Sequence, residues 1–537
     1  LFDIGDHSEE ASLWRLCHAL FDELQLGLTE DVPQELRRRA EAFKRKEAVS
    51  DWLQQAVQPT VEAESRSHVA MGRVHDTLFT YLTGFQLQRA CMAAIDSGDL
   101  HLSTLIAQCP GDSEQRDDIA EQLALWRKEG VDSHISRQHL RLYELLSGNV
   151  DCAEPARTAA NRDQIEQVEP FDVAAGLDWK RAFGLHLWYG TSFESDLREA
   201  VDSYDYAVHE LRTAPPPLPT YRAGLHMGEL RMRDMVKTRS YDRDHIFELI
   251  KLSVDPEHDL ETALSPCNFG PSLTDYRLPW HLYMMLSQAL RVRSFQDQET
   301  VVRADAGLRD GILRYSARAD ALTANFADQL ELEGQWWTAI FVLMHLQGKQ
   351  SRKKAIQRVL ERCVPDASES EIDYVVDELG VPDAWIQQAR AHHLRYQDER
   401  YEEFRSLVLA QQIAEAHEVA TKVLVPQAIV RTDHRLVHRV LAFLSARGGA
   451  ELAEWNTGGR LYVDYIACVW YLHGLLERRQ TEGLDEEDEE RFLSMAGTIG
   501  KIQVGLPQLL PVHSILDLSK DSTLARIQST QLMARGQ

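Results

Sequence analysis

Three acidic side chains between residues 117 and 121 have a spacing that could support metal-dependent chemistry. In RDDIAEQ, Asp117, Asp118 and Glu121 lie within about one turn of a predicted helix. Carboxylates so placed can hold Mg²⁺ and, through it, a diphosphate group. The first turns of a helix also favour negative charge because of the helix macrodipole. Since a diphosphate site also requires converging basic residues and a second acidic helix, we predict a solvated helix start.

Two histidine–glutamate pairs begin the H-E-x-x-H pattern of zinc-binding helices. They are His209 with Glu210 and His417 with Glu418, and in both the second histidine is missing four residues later. Phosphate-binding loops, dinucleotide-binding glycine motifs and nucleophile elbows are also missing from the sequence. The sequence therefore predicts no catalytic residue, no cofactor and no metal ligand.

Charge, hydropathy and cysteine pattern exclude further classes of function. The 537 residues carry a formal net charge of −26, which repels nucleic acid over most of the surface and argues against direct nucleic-acid binding. No apolar run is long enough to span a bilayer, so we expect no membrane insertion. No secretory signal is visible, and the start at leucine suggests a fragment. The seven cysteines are scattered singly, which predicts free thiols in a reducing compartment: Cys17, Cys91, Cys109, Cys152, Cys267, Cys363 and Cys468.

Helical periodicity positions all these residues. In CMAAIDSGDLHLSTLIAQC, which begins at Cys91, and just before it, the residues Leu87, Cys91, Ala94 and Ile95 share one predicted face. Gly98 is suited to the left-handed turn between two antiparallel helices. A similar hairpin is predicted around Gly334. Helix pairs recur without a fixed period, and polar–apolar alternation is almost missing. We predict an all-α fold, an irregular α-solenoid folded back on itself.

Proline interrupts the helical pattern once in a conspicuous way. The stretch APPPLPTYRAG, which begins at Ala214, contains three successive prolines that remove backbone donors and fix φ. We predict a loop there.

An ordered set of segments resembles the nucleoporin 96 family. HDTLFTYLTGFQLQRACMAAIDSGDLHLSTLIAQ is similar to the most recognisable segment of that family, with a small-residue helix, a glycine–acid turn and a helix ending in L-I-A-Q. YRLPWHLYMMLSQAL and FADQLELEGQWWTAIFVLMHL resemble later helices, and WRLCHALF and KRKEAVSDWL the first two. The resemblance runs from about residue 12 to the C-terminus and thins after about residue 430.

This resemblance implies the ancestral coatomer element, a helical fold shared with the outer coat of COPII vesicles. By analogy, residues 1–75 would form outgoing trunk helices, 76–266 a crown, 267–365 returning trunk helices and 366–537 a tail. The family implies a structural scaffold of the Y-shaped subcomplex of the nuclear pore, at the nuclear envelope, which supports protein and mRNA transport.

The implied partners are other nucleoporins. The crown is expected to bind the nucleoporin 84/107-type subunit, and the tail nucleoporin 85 and the nucleoporin 120/160-type subunit. A β-rich segment that the family uses to bind a small coat β-propeller protein is expected to be missing before the first helix. Aromatic enrichment at interface centres suggests Trp126, His139, Leu142 and Tyr143 as crown contacts, and Tyr462, Tyr465 and Trp470 as tail contacts.

Two other functions stay open at this point. One is a vesicle-coat cage subunit of the same fold. The other is an all-α, magnesium-dependent diphosphate lyase of the terpene-synthase kind, which would use Asp117 and Asp118.

Overall fold

A computed structural model shows an all-α chain, with two short pairs of antiparallel strands among the residues it describes. The structure describes residues 2–3, 5–27, 32–153, 169–192, 194–223, 242–297, 299–301, 313–481 and 486–509. The chain divides into two compact units, Leu1–Leu322 and Thr323–Gln537. The all-α prediction is thus confirmed.

The first unit begins with two helices whose starts follow from local sequence. Helix α1 covers Glu9–Phe21, and the Ser8 side chain accepts a hydrogen bond from the Ala11 amide at its start. Helix α2 covers Gln34–Ala70 directly after Pro33. The two pack together, and the Trp52 indole Nε1 donates to the Ser12 carbonyl at 2.9 Å.

Short antiparallel helices follow, and the hairpin predicted at Gly98 is present. Gly98 has a φ of +85°, and Asp99 caps the second helix by accepting from the Leu102 amide. Ala90 and Ala94 are fully buried between the two helices, but Ile95 is exposed, against the prediction that it shares the core face. The helices are α3 (Val74–Leu82), α4 (Leu87–Asp96), α5 (Leu100–Ala107), α6 (Ser113–Glu129) and α7 (Arg137–Leu146).

The middle of the first unit contains a small hairpin and helices that end in wider turns. Strands β1 (Cys152–Ala153) and β2 (Phe171–Asp172) pair antiparallel. Helix α8 (Trp179–Leu185) continues as a π-helical turn, His186–Gly190, and α9 (Leu197–Tyr206) as another, Ala207–Leu211.

The proline-rich stretch is non-helical only in its first half. Residues 214–219 form an irregular loop, and the Tyr204 hydroxyl donates to the Pro215 carbonyl at 2.6 Å. The following Thr220–Ala223 forms the short helix α10, which corrects the prediction that the whole APPPLPTYRAG stretch is a loop. The prolines constrain their own positions and the residues before them, so the four residues after Pro219 are free to turn.

The chain then returns to its first helix. Helix α11 (His245–Val254) packs against α1. Two polar contacts join the same regions: the Thr220 hydroxyl donates to Glu9 at 3.0 Å, and Arg277 pairs with Glu10 at 3.1 Å. Because more than 200 residues separate the partners, the first unit folds back on itself.

The first unit ends in short elements. They are α12 (Leu260–Ala263), α13 (Pro266–Phe269), α14 (Arg277–Tyr283) with a π-helical turn at Met284–Ala289, and the antiparallel strands β3 (Glu299–Val301) and β4 (Leu313–Tyr315).

The second unit is helical throughout its described residues. It contains the hairpin predicted around Gly334, whose φ is +80°. Its helices are α15 (Ala317–Leu332), which begins just before the unit boundary, α16 (Trp336–Leu343), α17 (Lys349–Cys363), α18 (Glu369–Asp373), α19 (Asp383–Tyr396), α20 (Arg400–Leu409), α21 (Ile413–Val419), α22 (Val425–Val430), α23 (His434–Ala446), α24 (Gly459–Thr481) and α25 (Glu486–Leu509).

A hydrophobic core joins the later helices of this unit. It includes Phe404 and Leu407 from α20, Val437 and Leu444 from α23, and Tyr462 from α24. Among the helices that the structure describes, none is long and apolar enough to cross a membrane.

Candidate partner-binding surfaces

The acidic cluster of the sequence lies on an outer face of α6. Asp117, Asp118 and Glu121 are all exposed, and Asp112 caps the helix by accepting from the Gln115 amide at 2.9 Å. Within the described part of the chain, these three carboxylates do not belong to a group with metal-ligand geometry. The arrangement is that of a charged helix start.

The two histidines that begin zinc-like patterns serve the packing of their helices. His209 is buried, and its Nε2 lies 3.5 Å from an oxygen of Asp205 one turn earlier. His417 is also buried, and its Nε2 accepts the Gly459 amide at 3.1 Å. Burial lowers the pKa of His417, which keeps the ring neutral and suited to accept that hydrogen bond.

Three of the four predicted crown residues form one aromatic cluster. The rings of Trp126 on α6 and Tyr143 on α7 meet edge to face with centroids 5.1 Å apart. His139 lies 5.2 Å from Tyr143 and stacks on His75 at 4.4 Å. Leu142 is fully buried, so its side chain offers a partner no surface. Trp126 and His139 are partly exposed, and Tyr143 is buried beneath them.

His139 connects this cluster to the α4–α5 hairpin. Its Nε2 lies 3.6 Å from an oxygen of Asp99, the residue that caps α5. Burial lowers the pKa of His139, the neighbouring His75 ring lowers it further, and Asp99 acts in the opposite direction. A neutral His139 is therefore favoured, and the cluster presents aromatic rather than charged surface.

The hairpin itself carries apolar side chains that sequence reasoning missed. Met92 and Ile95 on α4 and Leu100 at the start of α5 each keep more than half of their surface exposed. Met92 and Ile95 are three residues apart, so they project from the same side of α4. We call Met92, Ile95 and Leu100 the hairpin patch. The available signal was the small-residue face: Ala90 and Ala94 fix the buried side, which leaves the larger residues outward.

The predicted tail residues divide between core and surface. Tyr462 is fully buried and its hydroxyl donates to the Thr421 carbonyl at 3.2 Å, and burial raises its pKa. Tyr465 is buried as well. Trp470 is 45% exposed, with its ring 5.2 Å from His438 on α23.

Trp470 does not stand alone on α24. Val469 and Tyr471 on either side of it are also exposed. We call Val469, Trp470 and Tyr471 the tail patch. Aromatic side chains are enriched at the centres of protein–protein interfaces.

Comparison with known proteins shows which sequences this chain resembles. The family model described as nuclear protein 96 matches residues 76–393. The chain is 28% identical over 504 residues to nucleoporin nup189 of Schizosaccharomyces pombe, covering 93% of this chain and 25% of that protein. It is 25% identical over 467 residues to the nuclear pore complex protein Nup98-Nup96 of Drosophila melanogaster, covering 85% and 21%.

A plant relative is similar along nearly the whole chain. Over 534 residues it is 25% identical to the nuclear pore complex protein NUP96 of Arabidopsis thaliana, covering 96% of this chain and 45% of that protein. The chain therefore spans from about a fifth to less than half of the length of these three relatives.

Proposed function

The chain belongs to the nuclear protein 96 family of structural nuclear pore components, which are not enzymes, and we propose that it is a scaffold subunit of the pore's Y-shaped subcomplex. Its action is then affinity and geometry rather than turnover. The family match favours the pore over the vesicle coat. It also removes the magnesium-dependent lyase as an explanation of the acidic cluster on α6.

The observation that carries the proposal is the coexistence of a folded-back helical unit with exposed apolar patches on helices. The contact of α11 with α1 packs the returning part of the chain against its first helix, and a close-packed interior of this kind resists bending. A stiff body with outward apolar side chains suits an assembly subunit.

The crown, which we place at residues 76–266, is proposed to bind the nucleoporin 84/107-type subunit. The hairpin patch and the partly exposed rings of Trp126 and His139 lie on neighbouring elements, joined through Asp99. An interface of this kind has an apolar centre and a polar rim.

The tail, which we place at residues 366–537, is proposed to bind nucleoporin 85 and the nucleoporin 120/160-type subunit through the tail patch. Residues 1–75 and 267–365 would form the trunk. The division at Leu322 and Thr323 falls inside the second trunk segment, and these boundaries stay predictions.

The test is a Trp470→Ala variant in a binding assay with purified nucleoporin 85 and the nucleoporin 120/160-type subunit. A fully accessible tryptophan has roughly 250 Å² of surface, of which 45% remains in the free chain. Burying that roughly 110 Å² contributes about 3 kcal/mol at ~25 cal/mol per Å², or roughly 100-fold in Kd. We expect a loss of that order, measured by isothermal titration calorimetry.

A matched control is Tyr206→Ala, which removes an exposed aromatic ring from α9 in the first unit. It should bind the tail partners as the wild-type chain does. If Trp470→Ala binds with unchanged Kd, the tail patch is not the contact. If the folded wild-type chain binds neither subunit, the assignment of the tail to this part of the subcomplex fails.

A further inference from the structure

Three side chains with metal-ligand chemistry meet where the first unit folds back. They are Glu9 in the first turn of α1, and Asp244 and His245 at the start of α11. One potential ligand atom from each lies within 4.8 Å of the other two. The two helices are more than 200 residues apart in the chain, so no local spacing motif reveals this group.

Asp244 supplies the observation that points to a ligand. Asp244 is fully buried, and its Oδ1 caps α11 by accepting a hydrogen bond from the Ile246 amide at 2.9 Å. Its Oδ2 is also buried and has no hydrogen-bond partner among the described residues. A buried carboxylate oxygen without a partner is costly, because the water it loses is not replaced.

The other two side chains are held in position by neighbours. The His245 ring stacks on Phe269 with centroids 4.8 Å apart, and its Nδ1 lies 3.2 Å from the Asn268 carbonyl. Glu9 accepts from the Thr220 hydroxyl, which lies 3.0 Å from both of its oxygens. One oxygen of Glu9 therefore lies within 4.8 Å of an oxygen of Asp244 where α1 packs against α11.

We propose that Glu9, Asp244 and His245 bind a divalent transition-metal ion of the Zn²⁺ type that joins α1 to α11. One imidazole and two carboxylates form a donor set suited to zinc, whereas Mg²⁺ and Ca²⁺ prefer oxygen ligands alone. The positive ion provides the partner that Asp244 Oδ2 lacks and offsets the repulsion between the two carboxylates.

Binding requires only a small closure of the site. Zinc bonds of ~2.0–2.1 Å place tetrahedral ligands roughly 3.3 Å apart, whereas the ligand atoms of these three side chains lie within 4.8 Å of one another. Asp244 and His245 are fixed by burial, but Glu9 is only partly buried. Rotation of the Glu9 side chain is therefore the movement that completes the site, with water in the remaining position.

The consequence concerns the fold-back itself. An ion held by residues from both helices stabilises the folded state by mass action, since the ligands are together only when α1 lies on α11. The first helix would then be fixed to the returning helix by metal as well as by apolar packing.

The experiment uses the chelator-treated chain titrated with ZnCl₂ by calorimetry and with CoCl₂ by absorption spectroscopy. The informative variant is Glu9→Gln, because the partly exposed side chain can change without disturbing the core. Glu10→Gln is the matched control: the neighbouring glutamate pairs with Arg277 instead. We expect one zinc ion per chain, binding at least tenfold weaker in Glu9→Gln, unchanged in Glu10→Gln, and a cobalt spectrum without cysteine charge transfer.

Asp244→Asn provides a second variant, since asparagine can also cap α11 and only the anionic oxygen is lost. It should likewise weaken zinc binding at least tenfold, and if it fails to fold, Glu9→Gln alone decides. The proposal is overturned if the wild-type chain takes up no zinc, if Glu9→Gln binds as tightly as wild type, or if cobalt is ligated by thiolate.

Discussion

Protonation of one buried histidine should control the acid stability of the first unit. His186 lies in the π-helical turn after α8 and is fully buried. Its Nδ1 is 2.9 Å from the Ser203 hydroxyl, and its ring meets Tyr204 edge to face at 5.6 Å. Nε2 is buried with no partner among the described residues, so a proton there would place an unpaired charge in the core.

The magnitude follows from the pKa. Burial lowers the pKa of His186 from its ordinary 6.5 to about 4, whereas in the unfolded chain it returns to about 6.5. Between these pH values the unfolded state binds a proton that the native state does not, so the free energy of unfolding falls as the pH falls. The difference between the two pKa values corresponds to about 3 kcal/mol in the free energy of unfolding. This stabilisation is fully present above pH ~6.5 and is lost by pH ~4.

The perturbation is His186→Asn, which retains a polar group near Ser203 but cannot titrate. Urea unfolding at a series of pH values, followed by tryptophan fluorescence, gives the free energy of unfolding for each variant. At neutral pH the asparagine variant should be less stable because a cavity is left. Between pH 6.5 and 4 its free energy of unfolding should fall less steeply than that of wild type. The difference in slope should correspond to about one fewer proton taken up on unfolding.

Ser203→Ala is the matched control, because it removes the hydrogen bond and leaves the buried ring. It should lower stability at every pH without changing the slope. Parallel pH profiles for wild type and His186→Asn would refute the reasoning, since they would show that this ring takes up its proton equally in both states.

Three further predictions concern stability and reactivity. Gly98→Ala should destabilise the first unit by about 1 kcal/mol, because φ at this position is +85°, which disfavours a residue with a Cβ. Nothing lies within 4 Å of the added methyl, so the backbone conformation alone causes the effect. A melting temperature unchanged by the substitution would contradict this. Arg181 is 1% exposed and pairs with Glu64, which is 41% exposed, at 2.6 Å. Glu64→Ala leaves the buried guanidinium without a counter-charge, whereas Arg181→Met leaves only a hydrated carboxylate. Urea unfolding should therefore show the Glu64→Ala variant to be less stable than the Arg181→Met variant. The reverse order would be inconsistent with this explanation. Burial raises the pKa of the Cys17 thiol to about 12. Mass spectrometry should therefore find Cys17 unalkylated after iodoacetamide treatment of the native protein at pH 8, and alkylated when the protein is unfolded in urea. Rapid labelling of the native protein would contradict this, since it would show that the thiol is accessible.

The sequence predicted the helices well where capping and turn chemistry are local. Gly98 and Gly334 occupy left-handed turns as expected, and Ser8 caps α1 and Pro33 precedes α2 as residues of these types commonly do. These features depend on a few adjacent residues, so periodicity and residue type suffice. The short helix after Pro219 was missed because a proline-rich context was extended beyond the prolines themselves.

Surface residues were harder to predict because a helix packed among several others buries more than one side. Tyr462 and Trp470 are both aromatic residues of α24, yet one is fully buried and the other is 45% exposed. Tyr462 shares one hydrophobic core with residues of α21 and α23, whereas Trp470 lies outside that core. Neither neighbour can be identified from the sequence of α24 itself.

The same reasoning explains why the contacts that close the fold back could not be predicted. Glu9 and Glu10 are adjacent acidic residues in a first helical turn, and helix propensity treats them alike. In the folded chain, Glu10 pairs with exposed Arg277, whereas Glu9 approaches the buried carboxylate of Asp244. Two neighbouring glutamates thus differ in what their removal should do: loss of Glu10 breaks a screened surface pair worth less than ~1 kcal/mol, while loss of Glu9 changes the electrostatic environment of a buried anion. That difference originates in the return of α11 to α1, and it makes the paired substitutions a direct probe of whether the two helices meet.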